Sequence, residues 1–150
     1  IKDNSIIFDE ADNLNLALTL DCGQAFRWIQ KPNGAWHAVV SGRAVDITQD
    51  GERITVIGET DERFWRTYLD LDRDYGAICE KLKTDRWLNR AIKEYSGIRI
   101  LRQDTWEALC SFIISQNNNI PRIKGIIERR RPGKRRFQFS VCRKTCKMQR

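Results

Sequence analysis

The spacing of apolar residues changes twice along this 150-residue chain, and those changes limit its fold more than any single motif does. Up to about Ile57, apolar residues recur at every second position, the spacing of a half-buried strand. From about Asp61 they recur every three to four, the spacing of an amphipathic helix. After Glu128 neither period survives. In residues 13–21, NLNLALTLD, the alternation puts Leu14, Leu16, Leu18 and Leu20 on one face of an extended strand. A short run, Phe26-Arg27-Trp28, precedes Lys31-Pro32-Asn33-Gly34, whose Asn-Gly pair predicts a tight hairpin. Three more strands are expected at Ala35 to Ser41, Arg43 to Gln49 and Arg53 to Ile57, separated by Ser41-Gly42 and Asp50-Gly51. The chain therefore opens as an antiparallel meander.

The helical period predicts a stripe of Phe64, Trp65, Tyr68 and Leu69, then a short helix from Tyr75 to Leu82. A further helix from about Asp85 to Tyr95 is expected to bury Trp87, Leu88, Ala91 and Ile92, with Gly97 as its stop. Asp104 or Thr105 caps a helix carrying Trp106, Leu109, Cys110, Phe112, Ile113 and Ile114, apolar over most of its circumference. Asn119 caps the last one, with Pro121 in its first turn and Ile120, Ile123, Ile126 and Ile127 along one face.

The net charge of +7 suggests an electrostatic partner such as nucleic acid, but its distribution is uneven. All 20 acidic residues and 17 of the 27 basic ones precede Arg129, so that part carries −3, while residues 129–150 add ten basic residues and no acid. Such a tail can hold phosphates without specifying a sequence, but a merely solvated or accidental tail is the favoured reading. Five widely spaced cysteines without a CxxC pair, and a single histidine, His37, argue against a disulfide framework, a zinc site and a triad hydrolase. No apolar run is long enough for a membrane span, and the opening segment lacks the order of a signal peptide, so the chain reads as cytosolic.

Two segments carry more polar chemistry than a surface needs. In Cys22-Gly23-Gln24-Ala25-Phe26-Arg27-Trp28, Gly23 permits close backbone approach to a ligand; taken alone, the segment also reads as a strand-ending turn with a core Phe and Trp. In Ser115-Gln116-Asn117-Asn118-Asn119-Ile120-Pro121-Arg122, three consecutive Asn exceed what capping requires, and amides beside a helix N-terminus suit a phosphate or a base edge.

Together, LTLDCGQAFRW (18–28) and ILRQDTWEALCSFIISQNNNIPRI (100–123) resemble the 8-oxoguanine DNA glycosylases of the helix-hairpin-helix superfamily, over about residues 13–129. The resemblance implies an α+β fold. A twisted antiparallel sheet with helices, similar to the TATA-binding-protein half-fold, occupies 1–100, and 101–129 hold the first helices of an α-helical glycosylase domain. It also implies a flipped nucleotide read in a pocket. The residue matching Gly23 accepts, through its carbonyl, the extra ring hydrogen of the oxidised purine. Asn117 fills the gap left by the extruded base, Arg122 joins it in bonding the orphaned cytosine, and Asn118 lines the same region.

The family's chemistry further needs a Lys that forms a Schiff base and an Asp that assists it, both beyond the Asn-rich segment. No matching residue is present: Lys134 lies in Arg131-Pro132-Gly133-Lys134-Arg135 without a Gly-x-Gly loop, and no Asp follows Asp104. Residues 130–150 thus read as a basic tail foreign to the family, the mark of a truncated or frame-shifted product. The expectation is base-excision repair without catalysis by this chain. It binds oxidised-guanine duplex DNA weakly, with salt sensitivity and without lesion preference, as a monomer without cofactor, metal or membrane. Its place is the cytoplasm, at the nucleoid or in the nucleus according to source. A non-catalytic DNA-binding or interaction module, and an inert product with exposed apolar helices, remain alternatives.

Overall fold

The computed structural model describes residues 4–129. The tail at 130–150, with Lys134, Cys142 and Cys146, lies outside the described residues. Five strands form one antiparallel sheet: β1 (Ser5–Phe8), β2 (Ile29–Gln30), β3 (Trp36–Val40), β4 (Arg43–Asp50) and β5 (Arg53–Ile57), in the order β1-β5-β4-β3-β2. β2 to β5 make the expected meander, with Gln30 opposite Trp36, Val40 opposite Arg43 and Asp50 opposite Arg53. β1 closes the far edge, Phe8 facing Ile54; four residues are too few to show a period.

Alternation sorts the sheet into two faces. Ile6, Phe8, Trp36, Ala38, Val40, Val45, Ile47, Ile54 and Val56 point into the core. His37 and Asp46 stand on the other side, where Asp46 also takes the Lys31 ammonium. The inner face is covered by α1 (Leu16–Asp21) and by α2 (Glu62–Tyr68), whose Trp65 and Tyr68 are buried. Trp28 Nε1 donates to the Tyr68 hydroxyl at 3.1 Å, tying the β2 approach to α2.

The strand expected at 13–21 is instead α1. Asn15 caps it, its side chain accepting from Leu18 N, and Asn13 at φ 51 ends any extended run before it. The buried residues are Leu16, Thr19 and Leu20, a helical triple. Leu and Ala favour helix, and with a cap in place that preference outweighs an alternation that also contains the i, i+4 pair Leu16 and Leu20.

Four more helices follow: α3 (Tyr75–Leu82), α4 (Arg86–Glu94), α5 (Thr105–Ser115) and α6 (Ile120–Arg129). Asp85 and Asp104 cap α4 and α5 as their sequence positions suggest. The expected burial of α4 fails: Trp87 is 68% exposed, Leu88 44%, Ala91 is exposed and Ile92 half-buried. Periodicity marks which face is apolar, not whether another element covers it. Among the described residues, no helix is long and apolar enough to cross a membrane.

Arg99 fastens the helices to the sheet unit. It is 3% exposed, and its guanidinium donates to the carbonyls of Asp12, Asp70 and Arg73 while lying 4.5 Å from the Tyr75 ring centre. Gly97, at φ +91, lets the chain pass so close to Asn15 that a Cβ there would sit 2.6 Å from the Asn15 nitrogen.

Candidate nucleic-acid interface

Gly23 sits just past the end of α1 at φ +87, a conformation that favours glycine. A Cβ built there would lie 3.2 Å from Cδ1 of Ile120, the first residue of α6. The turn is fixed by its neighbour. Gln24 Nε2 donates to the carbonyls of Thr19 (3.0 Å) and Arg99 (2.8 Å), and its Oε1 accepts from Leu101 N (3.0 Å). Gln103 Nε2 donates in turn to the Gln24 carbonyl (2.6 Å). The segment leading into α5 is thereby stitched to the turn that carries Gly23.

Two ion pairs complete the junction. Arg27 meets Glu107 on α5 at 2.8 Å, and Lys124 on α6 meets Asp21 at 2.5 Å. Burial raises the Glu107 carboxyl above its usual range, with Arg27 opposing. Between α6 and β2 lies an open groove of about 370 Å³, walled by Phe26, Trp28, Trp36, Lys124 and Ile127.

The three asparagines of the α5–α6 turn differ in what they do. Asn119 Oδ1 accepts from Arg122 N at 3.0 Å and caps α6. Asn118 Nδ2 donates to the carbonyls of Ile114 (2.8 Å) and Gln116 (3.1 Å), closing the end of α5. Asn117 stands at φ 55 with its side chain exposed, as is that of Arg122. Only Asn118 and Asn119 separate Asn117 from Ile120, so the Gly23 turn and the Asn-rich turn meet where α6 begins. Sequence reading picked out Gly23, Asn117, Asn118 and Arg122; it missed Gln24, Glu107 and Lys124. Each of these three acts on a partner at least 75 residues away in the chain.

A family model described as "8-oxoguanine DNA glycosylase, N-terminal domain" matches residues 5–109. The chain belongs to this family. An N-glycosylase/DNA lyase of Saccharomyces cerevisiae is 34% identical over 126 residues, 73% of this chain and 34% of the yeast protein. Among solved structures, MBOgg1 in complex with a low-affinity DNA ligand superposes with a TM-score of 0.81 at 44% identity, over 85% of this chain and 45% of that one. The Clostridium acetobutylicum 8-oxoguanine glycosylase/lyase, bound to double-stranded DNA containing cytosine opposite 8-oxoG, gives a TM-score of 0.77 at 42% identity, over 83% and 43%. These relatives confirm the α+β fold. The chain spans about a third of the yeast protein and less than half of either solved chain.

Proposed function

We propose that this chain is the DNA-reading portion of an 8-oxoguanine DNA glycosylase with abasic-site lyase activity, a base-excision repair enzyme, and that it performs no excision alone. Residues 1–100 serve as the N-terminal α+β domain and 101–129 as the first helices of the glycosylase domain. One observation carries this reading: the Gly23 turn and the α5–α6 turn holding Asn117 and Asn118 meet at Ile120, two positions ahead of Arg122 on α6. In the whole enzyme the Gly23 carbonyl is the acceptor for the hydrogen that oxidation adds to the purine ring, a contact that gives this chain alone no lesion preference. Asn117 and Arg122 face the cytosine left without its partner. The partner molecule is duplex DNA with oxidised guanine opposite cytosine, which in a relative is a solved complex.

The orphan-cytosine contacts need no lesion, so they are testable on this chain. In fluorescence anisotropy, a duplex with an abasic analogue opposite cytosine is expected to bind about tenfold tighter than one with adenine there, the discrimination typical of good base-edge contacts. Equal affinities would overturn the reading. Intact duplexes with 8-oxoguanine or guanine opposite cytosine are expected to bind alike, weakly and with steep salt dependence. Borohydride reduction on the oxidised duplex is expected to leave no covalent adduct, and an adduct would show that a nucleophile is present after all.

A further inference from the structure

We infer that Asn118 is a positioning residue of this interface, acting through Asn117 rather than on DNA; the inference rests on the reading above. Both amide hydrogens of Asn118 are aimed at backbone: Nδ2 lies 2.8 Å from the Ile114 carbonyl and 3.1 Å from that of Gln116. Those carbonyls belong to the end of α5 and its cap, groups that a helix leaves without internal partners. One bond therefore reaches back four residues into the helix and the other spans Asn117 from the far side. The Asn118 backbone N–H adds a third tie, to the Ser115 carbonyl at 3.2 Å.

Asn117 is the residue enclosed by this clamp. Its φ of 55 lies in the left-handed region, which asparagine tolerates better than other side-chain-bearing residues and which the Asn118 bonds on either side hold in place. That conformation turns the chain sharply between α5 and α6 and leaves the Asn117 side chain exposed, three residues ahead of the Ile120 contact to Gly23. The division of labour follows: Asn119 caps α6, Asn118 closes α5, and Asn117 is presented. A run of three asparagines is thus one reader held between two braces.

A double-mutant cycle separates a brace from a reader. Affinity is measured by anisotropy for the duplex with an abasic analogue opposite cytosine. Asn117→Ala and Asn118→Ala are each expected to weaken binding about tenfold, the scale of a lost base contact, and the double variant to bind no worse than Asn117→Ala alone. Multiplying losses would show that Asn118 touches DNA itself and overturn the inference, as would an Asn118→Ala that binds like the parent. If Asn118→Ala melts the turn, Asn118→Ser serves instead. A serine hydroxyl already donates to a carbonyl three residues back here, from Ser115 to Phe112 at 2.7 Å, and the variant is expected to recover most of the cytosine preference. A folded Asn118→Ser that recovers none overturns the inference. Failure of the underlying reading looks different: the parent chain itself would bind the cytosine and adenine duplexes equally.

Discussion

The inner face of the sheet and the surface of α5 are both rich in large apolar side chains, yet they meet opposite fates. Trp28, Leu20, Ile47, Ile54, Val56 and Trp65 are 0–1% exposed, whereas on α5 Trp106 is 54% exposed, Phe112 64% and Ile113 61%. The first region is held by close-packed hydrocarbon, the second by a few polar stitches at its root: Asp104 as cap, Gln103 to Gln24, and Glu107 to Arg27. Burial contributes to stability per area removed from water, so the sheet unit carries most of the folding free energy, and α5 adds little beyond what its stitches fix. The same contrast separates the two turns proposed to read DNA. The Gly23 turn is built on the rigid region, while the Asn-rich turn is delivered by the lightly anchored one, and Ile120, Lys124 and the Gln24 lattice bring the two into register.

A pair of truncations tests that contrast directly. Trp65→Ala empties a fully enclosed site beneath the sheet and is expected to cost about 3–5 kcal/mol in urea unfolding. Phe112→Ala removes a ring that is mostly in water and is expected to change stability by no more than about 0.5 kcal/mol, while lowering the binding of a dye specific for exposed apolar surface. Comparable losses from the two variants would mean that α5 is covered in solution by something other than the described residues, and the asymmetry would fall.

Those two regions were also unequally legible in the sequence. β3, β4 and β5 could be drawn almost to the residue because each is rich in β-branched residues and is bounded by Gly-containing turns, so local pattern and tertiary burial agree. α1 could not, because Leu14, Leu16, Leu18 and Leu20 satisfy a strand period while Leu16 and Leu20 also satisfy a helical one, and the Asn15 cap decided the matter. α4 showed its apolar stripe plainly, but whether Trp87 is covered depends on neighbours that no local pattern encodes. At the interface, Gly23 and the three asparagines stood out because such residues are costly filler between apolar elements. Gln24, Arg27, Glu107 and Lys124 did not, since each looks like ordinary surface until the fold brings a partner from a distant part of the chain.

Acid titration sharpens the comparison at smaller amplitude, because a carboxylate in each region responds to pH with opposite sign. On the outer sheet face, the hydrogen bond from Lys31, with His37 beside it, holds Asp46 below the usual carboxylate range. Its contribution is present above the ordinary Asp value and lost as pH falls through the lowered one. At the α5 root, burial raises Glu107 and Arg27 only partly compensates. A carboxyl raised on folding costs stability while ionised, and that cost disappears as pH falls through the raised value toward the ordinary Glu one. Glu107→Gln removes the titration without removing the bulk. The stability of the parent chain minus that of Glu107→Gln, followed by urea unfolding from pH 7 down to pH 4, is therefore expected to rise on acidification. The corresponding difference for Asp46→Asn, followed further down past the ordinary Asp value, is expected to fall. If the Glu107 difference also fell, the Arg27 ion pair would outweigh desolvation, and the α5 root would be anchored by charge to a degree that its burial alone does not suggest.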